Sequence, residues 1–320
     1  MEVLPGAGTP AGRRPRLGYA MVLLAAALFA VNGVVSKVIL AGGEIDAQRF
    51  TQLRSTGAFA GLAVALLVLA PASLRVSRRE VPLLVFFGVC GFALVQWSYF
   101  VAIERLPVGI ALLIQFTAPV LVALWARFGR HEHVRRRVWA ALALTLAGLA
   151  LVSQAWRGLT LDGVGVAAAL AASLALAIYY LVGEHGVGRR DPLSLTCLSF
   201  LVAALFWALV QPWWSFPYGA LAGSTSLFGN AADPSAPVAV LVLWMIGPGT
   251  IAPFALSLAA LRHLPATIVG VAATAEPPLA ALVAWLWLDE SLAAAQLVGG
   301  TVVLLGIALA QTARPGPVRN

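Results

Sequence analysis

Ten apolar stretches, each 17 to 24 residues long, follow one another along this chain with mostly short polar links between them. They cover Leu17–Leu40, Phe50–Ala70, Val81–Ile103, Pro107–Phe128 and Val138–Gln154, then 163–183, 194–212, 238–261, 265–288 and 293–312. About 20 helical residues cross the hydrocarbon of a bilayer. Lipid offers no partner to an open backbone, so each stretch must close its own hydrogen bonds as a helix. The expected fold is an all-α membrane protein with ten transmembrane helices. Composition agrees: only 11% of the residues are charged, against about 25% in soluble domains. The stretch from Leu17 lacks a convincing cleavage site, which marks it as a first span and not a removed signal peptide.

An internal repeat organises the stretches. At an offset of 158 residues Leu106-Pro107 falls on Leu264-Pro265, Pro119 on Pro277, Glu132 on Glu290 and Gly148 on Gly306, without a gap. Each half then holds five spans, and an odd number inserts the second half upside down relative to the first. The expected organisation is a tail over 1–16, a five-helix repeat over 17–154, a second over 161–312 and a tail over 313–320. With the N-terminus inside, 16 of the 21 Lys and Arg residues lie on the inner side. That bias sets orientation, so both termini are expected in the cytoplasm. The net charge of +8 then follows topology and is no sign of a nucleic-acid partner. Cys90 and Cys197 fall inside spans and read as small apolar packing residues.

The stretch from Leu264 to Glu290 carries one carboxylate, Glu276, in its middle, followed at once by Pro277 and Pro278. An ionisable group near the membrane midplane costs about 2.5–3.5 kcal/mol on insertion scales, so it is kept for a reason. Each proline removes an N–H, which leaves the carbonyls of Ala273 and Thr274 without helical donors. A Glu just before a Pro is also the composition of a helix start, where the dipole favours an anion. The expectation is a kinked or broken span that presents a carboxylate to a polar cavity. A structural Glu paired with an intramembrane cation is the alternative.

Taken together, these features resemble the EamA-type members of the drug/metabolite transporter superfamily. The residues that carry the resemblance are Tyr99-x-x-Ala102 through Pro107 and Pro119, then Ala260 through Pro265, Glu276-Pro277, Glu290 and Gly306. It extends over about residues 17–312, with Pro278 and the long connection 213–237 as departures. The resemblance implies an inner-membrane carrier, often an exporter of amino acids, other metabolites or drugs, working by alternating access. Its partners would be a small-molecule solute and the lipid bilayer, with no cofactor. A proton-coupled exporter of lipophilic cations is the second reading within transport. A membrane-embedded, lipid-modifying enzyme is the reading from another class. No nucleophile elbow or phosphate loop supports it.

Transport requires a polar site near the midplane that two arrangements of the bundle expose in turn. Glu276 heads the candidates, and its counterpart in the first repeat is Ala118, so the halves are unequal. Gln115, Asn32, Gln96, Trp97, Tyr99, Tyr179, Tyr180 and Thr274 are further side chains on spans that can line a solute site, although each is also an ordinary packing residue. Pro119, Pro277 and Pro278 are the expected helix breaks. Lys37 and Arg54 near span ends either snorkel to the headgroups or serve as counter-ion to Glu276. Gly306-x-x-x-Ala310 fits close helix packing, within the bundle or at a homodimer seam. The four histidines show no metal-site spacing.

Overall fold

The computed structural model describes residues 14–42, 44–105, 108–152, 162–227, 234–288 and 293–312, and the described chain is almost entirely helical. In the first half the helices are α1 (Pro15–Ala41), α2 (Ala47–Leu69), α3 (Val81–Phe86), α4 (Leu94–Arg105), α5 (Val108–Gln115), α6 (Ala118–Leu124) and α7 (Arg136–Val152). In the second they are α8 (Gly163–Val187), α9 (Pro192–Val210), α10 (Val238–Ile246), α11 (Ala252–Ala260), α12 (Ala266–Ala273), α13 (Glu276–Leu288) and α14 (Ala294–Thr312). Asp46, Asp162 and Asp191 cap α2, α8 and α9, each accepting a backbone N–H of the first turn. Seven helices among the described residues are long and apolar enough to cross a membrane. The fourth, fifth and tenth apolar stretches are helical too, as α5 with α6, α7 and α14.

Three spans contain a π-helical turn. Phe87–Ala93 joins α3 to α4, Gly247–Ile251 joins α10 to α11, and Trp125–Gly129 extends α6. The first two occupy matching places in the third and eighth spans. Pro248 lacks an N–H, which explains why the eighth span loosens at Gly247–Ile251. A short antiparallel hairpin, β1 (Ser224–Ser226) with β2 (Ser235–Pro237), lies in the long seventh-to-eighth connection and went unseen in the sequence. The indole of Trp287 on α13 donates to the carbonyl of Leu227 beside it, at 2.9 Å. In the same connection Trp214 and Tyr218 are exposed.

The two halves exchange contacts reciprocally. α1 lies against α11, α12 and α13, while α8 lies against α4, α5 and α6. α2 packs on α9, α6 on α12 and α7 on α14. Aromatic rings fill the middle: Phe92 sits 4.8 Å from Phe200, 5.0 Å from Phe254 and 5.5 Å from Tyr179, centroid to centroid. At one end of the bundle Arg190 donates to the carbonyls of Ser73 and Arg75 and to Glu80. The N–H of Ser77 and the Arg190 guanidinium together hold the Glu80 carboxyl below the usual carboxylate range. At the opposite end of α2, Arg49 reaches the carbonyl of Pro212, and Gln52 that of Gln211.

The seam between α7 and α14 rests on glycine. A Cβ on Gly306 would lie 2.6 Å from Thr145 Cγ2, and one on Gly148 2.8 Å from the carbonyl oxygen of Gly299. The small-residue stripe that ends at Ala310, itself buried, is thus consumed within one chain and is not left as a dimer seam. Gly306→Leu should force the helices apart, at a cost of about 1–3 kcal/mol or more. The expected result is a clearly lower unfolding midpoint in detergent. An unchanged midpoint would mean that the seam relaxes freely.

Candidate functional site

The ninth span is two helices. α12 ends at Ala273, Thr274 and Ala275 form a turn, and α13 begins at Glu276 with Pro277 behind it. The Thr274 hydroxyl folds back to donate to the Val271 carbonyl at 2.5 Å, covering one acceptor at the end of α12. The fourth span pauses at the matching place, between Gln115 and Ala118, with Pro119 in the first turn of α6. There the Thr117 hydroxyl donates to the Ile114 carbonyl at 2.7 Å and lies 2.9 Å from Ser173 Oγ on α8. The two interrupted spans meet where a Cβ on Gly270 would come within 3.1 Å of Pro119 Cγ. Glycine permits that approach.

Glu276 therefore stands at a helix start inside the bundle, where the partial positive charge of the backbone favours an anion. Protein packs on every side, yet its side chain keeps some accessible surface. It faces the Arg54 guanidinium from α2 and is also within electrostatic reach of Tyr99 on α4 and Tyr180 on α8. Among the described residues the Glu276 carboxylate has no ion pair within 4.0 Å.

Arg54 is only 8% exposed and rigidly held. Its Nε donates to Thr250 Oγ1 at 2.8 Å, and its Cζ lies 5.8 Å from the centroid of the Phe254 ring. The Thr250 hydroxyl in turn donates a hydrogen bond to the carbonyl of Met245, five residues back, at 2.7 Å. The π turn in the eighth span thus builds the seat for Arg54. Asn32 on α1 is pressed against the same turn: a Cβ on Gly249 would come within 2.7 Å of its Cγ. Tyr179 reaches the Phe254 carbonyl at 3.4 Å and stacks against Phe87, behind the site.

The sequence model of the EamA-like transporter family matches residues 16–154 and again 163–312. The chain belongs to the EamA-like transporter family. It is accordingly a multi-pass membrane protein of a family of transporters, not of enzymes. The threonine/homoserine exporter RhtA of Escherichia coli (strain K12) is 27% identical over 296 residues, 92% of each chain. An uncharacterized transporter of Archaeoglobus fulgidus is 27% identical over 92% of this chain and 96% of its own length. A solved crystal structure at 20% identity superposes with a TM-score of 0.72, covering 92% of this chain and 96% of the other, and so shares the fold.

Within this EamA-like chain the candidates separate into groups. Glu276, Arg54, Tyr99 and Tyr180 come together, with Asn32 beside the Arg54 seat. Thr274 is buried in the break itself, and Gln115 closes α5 half-buried. Trp97 is 41% exposed on the outer side of α4, and Lys37 is exposed on α1, so neither joins the group around Glu276. Phe254 was missed by sequence reasoning, since one more aromatic in an apolar span carries no signal. Gly-Pro-Gly-Thr at 247–250 was the signal that could have found the Arg54 seat. A cavity of about 500 Å³ lined by Trp125, Arg130, Glu184, His185 and Arg189 lies at the basic end, apart from Glu276. No cluster of metal-ligating side chains occurs among the described residues.

Proposed function

We propose that this protein is a secondary exporter of a small amino acid, working by alternating access around Arg54 and Glu276. One observation carries the reading: the buried Arg54 guanidinium and the largely enclosed Glu276 carboxylate act on each other electrostatically without forming an ion-pair contact. Unlike charges in a low-dielectric interior are under-satisfied when they do not make contact. A zwitterion placed between them satisfies both, its carboxylate on Arg54 and its ammonium on Glu276. Tyr99 and Tyr180 lie within electrostatic reach of Glu276, and the Phe254 ring lies beside Arg54. The similarity to a threonine/homoserine exporter supports a hydroxylated amino acid as the solute.

The same reading takes the chain as ten spans in two inverted five-helix repeats over 17–154 and 161–312, with both termini cytoplasmic. The reciprocal packing of α1 on α11–α13 and α8 on α4–α6 supports it, as does the basic bias of one face. Alternating access then amounts to rocking one repeat against the other about the broken spans. Export of a lipophilic cation is the second reading. Glu276 and the tyrosines favour it, while Arg54 weighs against it by repelling a cation. The test is efflux of labelled threonine and homoserine from cells lacking their own exporters. Expression should speed efflux of at least one. Faster efflux of a lipophilic dye cation with neither amino acid affected would sink the amino-acid reading.

A further inference from the structure

Gln96 is 7% exposed, and neither its Nε2 nor its Oε1 has a hydrogen-bond partner among the described residues. A buried amide with both ends unpaired is rare, because each orphaned group costs stability. Its position gives it a use. Gln96 and Tyr99 lie three residues apart on α4, a spacing that puts them on one side of that helix, and Phe92 stands at the end of the preceding π turn, four residues before Gln96. Phe92 stacks on Phe254, the ring beside which Arg54 sits, with centroids 5.0 Å apart. Tyr99 is within electrostatic reach of Glu276. Trp97, the next residue, faces away and is 41% exposed. Along the third span Gln96 thus stands between Phe92, which packs on the ring beside Arg54, and Tyr99, which is within electrostatic reach of Glu276. Asn32, whose Oδ1 is also unpaired, lies against Gly249 on the Arg54 side.

We infer that Gln96 sets solute specificity by hydrogen bonding a side-chain hydroxyl of the amino acid held between Arg54 and Glu276. This rests on the amino-acid reading above. A carboxamide offers an acceptor and two donors, and a hydroxyl both donates and accepts, so one hydroxyl satisfies both ends of the amide. An alkyl group of the same shape satisfies neither and leaves the amide buried and unpaired. Sites built to bond a hydroxyl discriminate strongly against analogues that lack it.

The experiment compares threonine with valine, in which a methyl replaces the hydroxyl, by counterflow in proteoliposomes containing the full chain. Wild type should prefer threonine by at least about tenfold. Gln96→Leu should bring that preference close to one, by slowing threonine while valine keeps its rate or gains. Gln96→Met, closer in length to glutamine, repeats the measurement should the leucine variant fail to fold. A preference that survives in the folded variant overturns the inference, as does an equal loss for both solutes. If wild type carries threonine and valine equally, the inference falls and the amino-acid reading stands. If wild type carries no amino acid, both fall together.

Discussion

On the amino-acid reading, Glu276→Gln should cut export by about 30-fold to 4,000-fold while leaving the protein inserted and folded. A buried, charge-assisted contact to a solute ammonium is worth about 2–5 kcal/mol, and each 1.4 kcal/mol is a factor of ten. The amide keeps the shape of the carboxyl and one of its acceptors, so the fold is kept, but it leaves the Arg54 charge without its counter-charge, and the unfolding midpoint should fall. Efflux of labelled threonine, read beside the unfolding midpoint, separates loss of function from loss of fold. The pH profile then separates two roles. If the carboxylate also cycles a proton, the wild-type rate varies with pH and the residual rate of the variant does not. If it only binds the solute, the half-saturation concentration rises and the pH response stays. Export at the wild-type rate would make the carboxylate structural.

Arg54→Gln should lose export to a similar degree, and it should also destabilise the protein. Removing one member of a buried charge pair leaves the other uncompensated, at a cost of about 3–5 kcal/mol. Arg54 also anchors the π turn through Thr250 and lies beside Phe254, so its loss loosens the eighth span as well. The Arg54→Gln, Glu276→Gln double variant should recover most of the midpoint, because no charge is then stranded, and should remain inactive. Destabilisation equal to the sum of the two single changes would show that the charges are not coupled. Arg54→Lys should not rescue export, since a lysine lacks the planar fork that binds a carboxylate through two parallel bonds.

The succession of apolar stretches, the helical class and the repeat can be read from the chain without a structure. Each rests on local chemistry: backbone closure in lipid, hydropathy length, and Pro and Gly recurring at one offset. The exceptional status of Glu276 is legible for the same reason, since one carboxylate before two prolines stands out in any apolar span. The partner of Glu276 is not legible. Lys37 and Arg54 looked alike as cations near span ends, and only the packing of α2 beside the eighth span turns Arg54 inward. Trp97 and Gln96 are neighbours in sequence and face opposite ways. In a soluble helix an amphipathic pattern would tell them apart. In a span that is apolar on all sides, the inward face is set by which helices touch, and the π turns at 87–93 and 247–251 shift that phase again. Local composition determines that this chain lies in a membrane as helices, some of them broken. Interactions between residues about 200 positions apart, the hydrogen bond of Arg54 to Thr250 and its electrostatic pairing with Glu276, decide which side chains make a site.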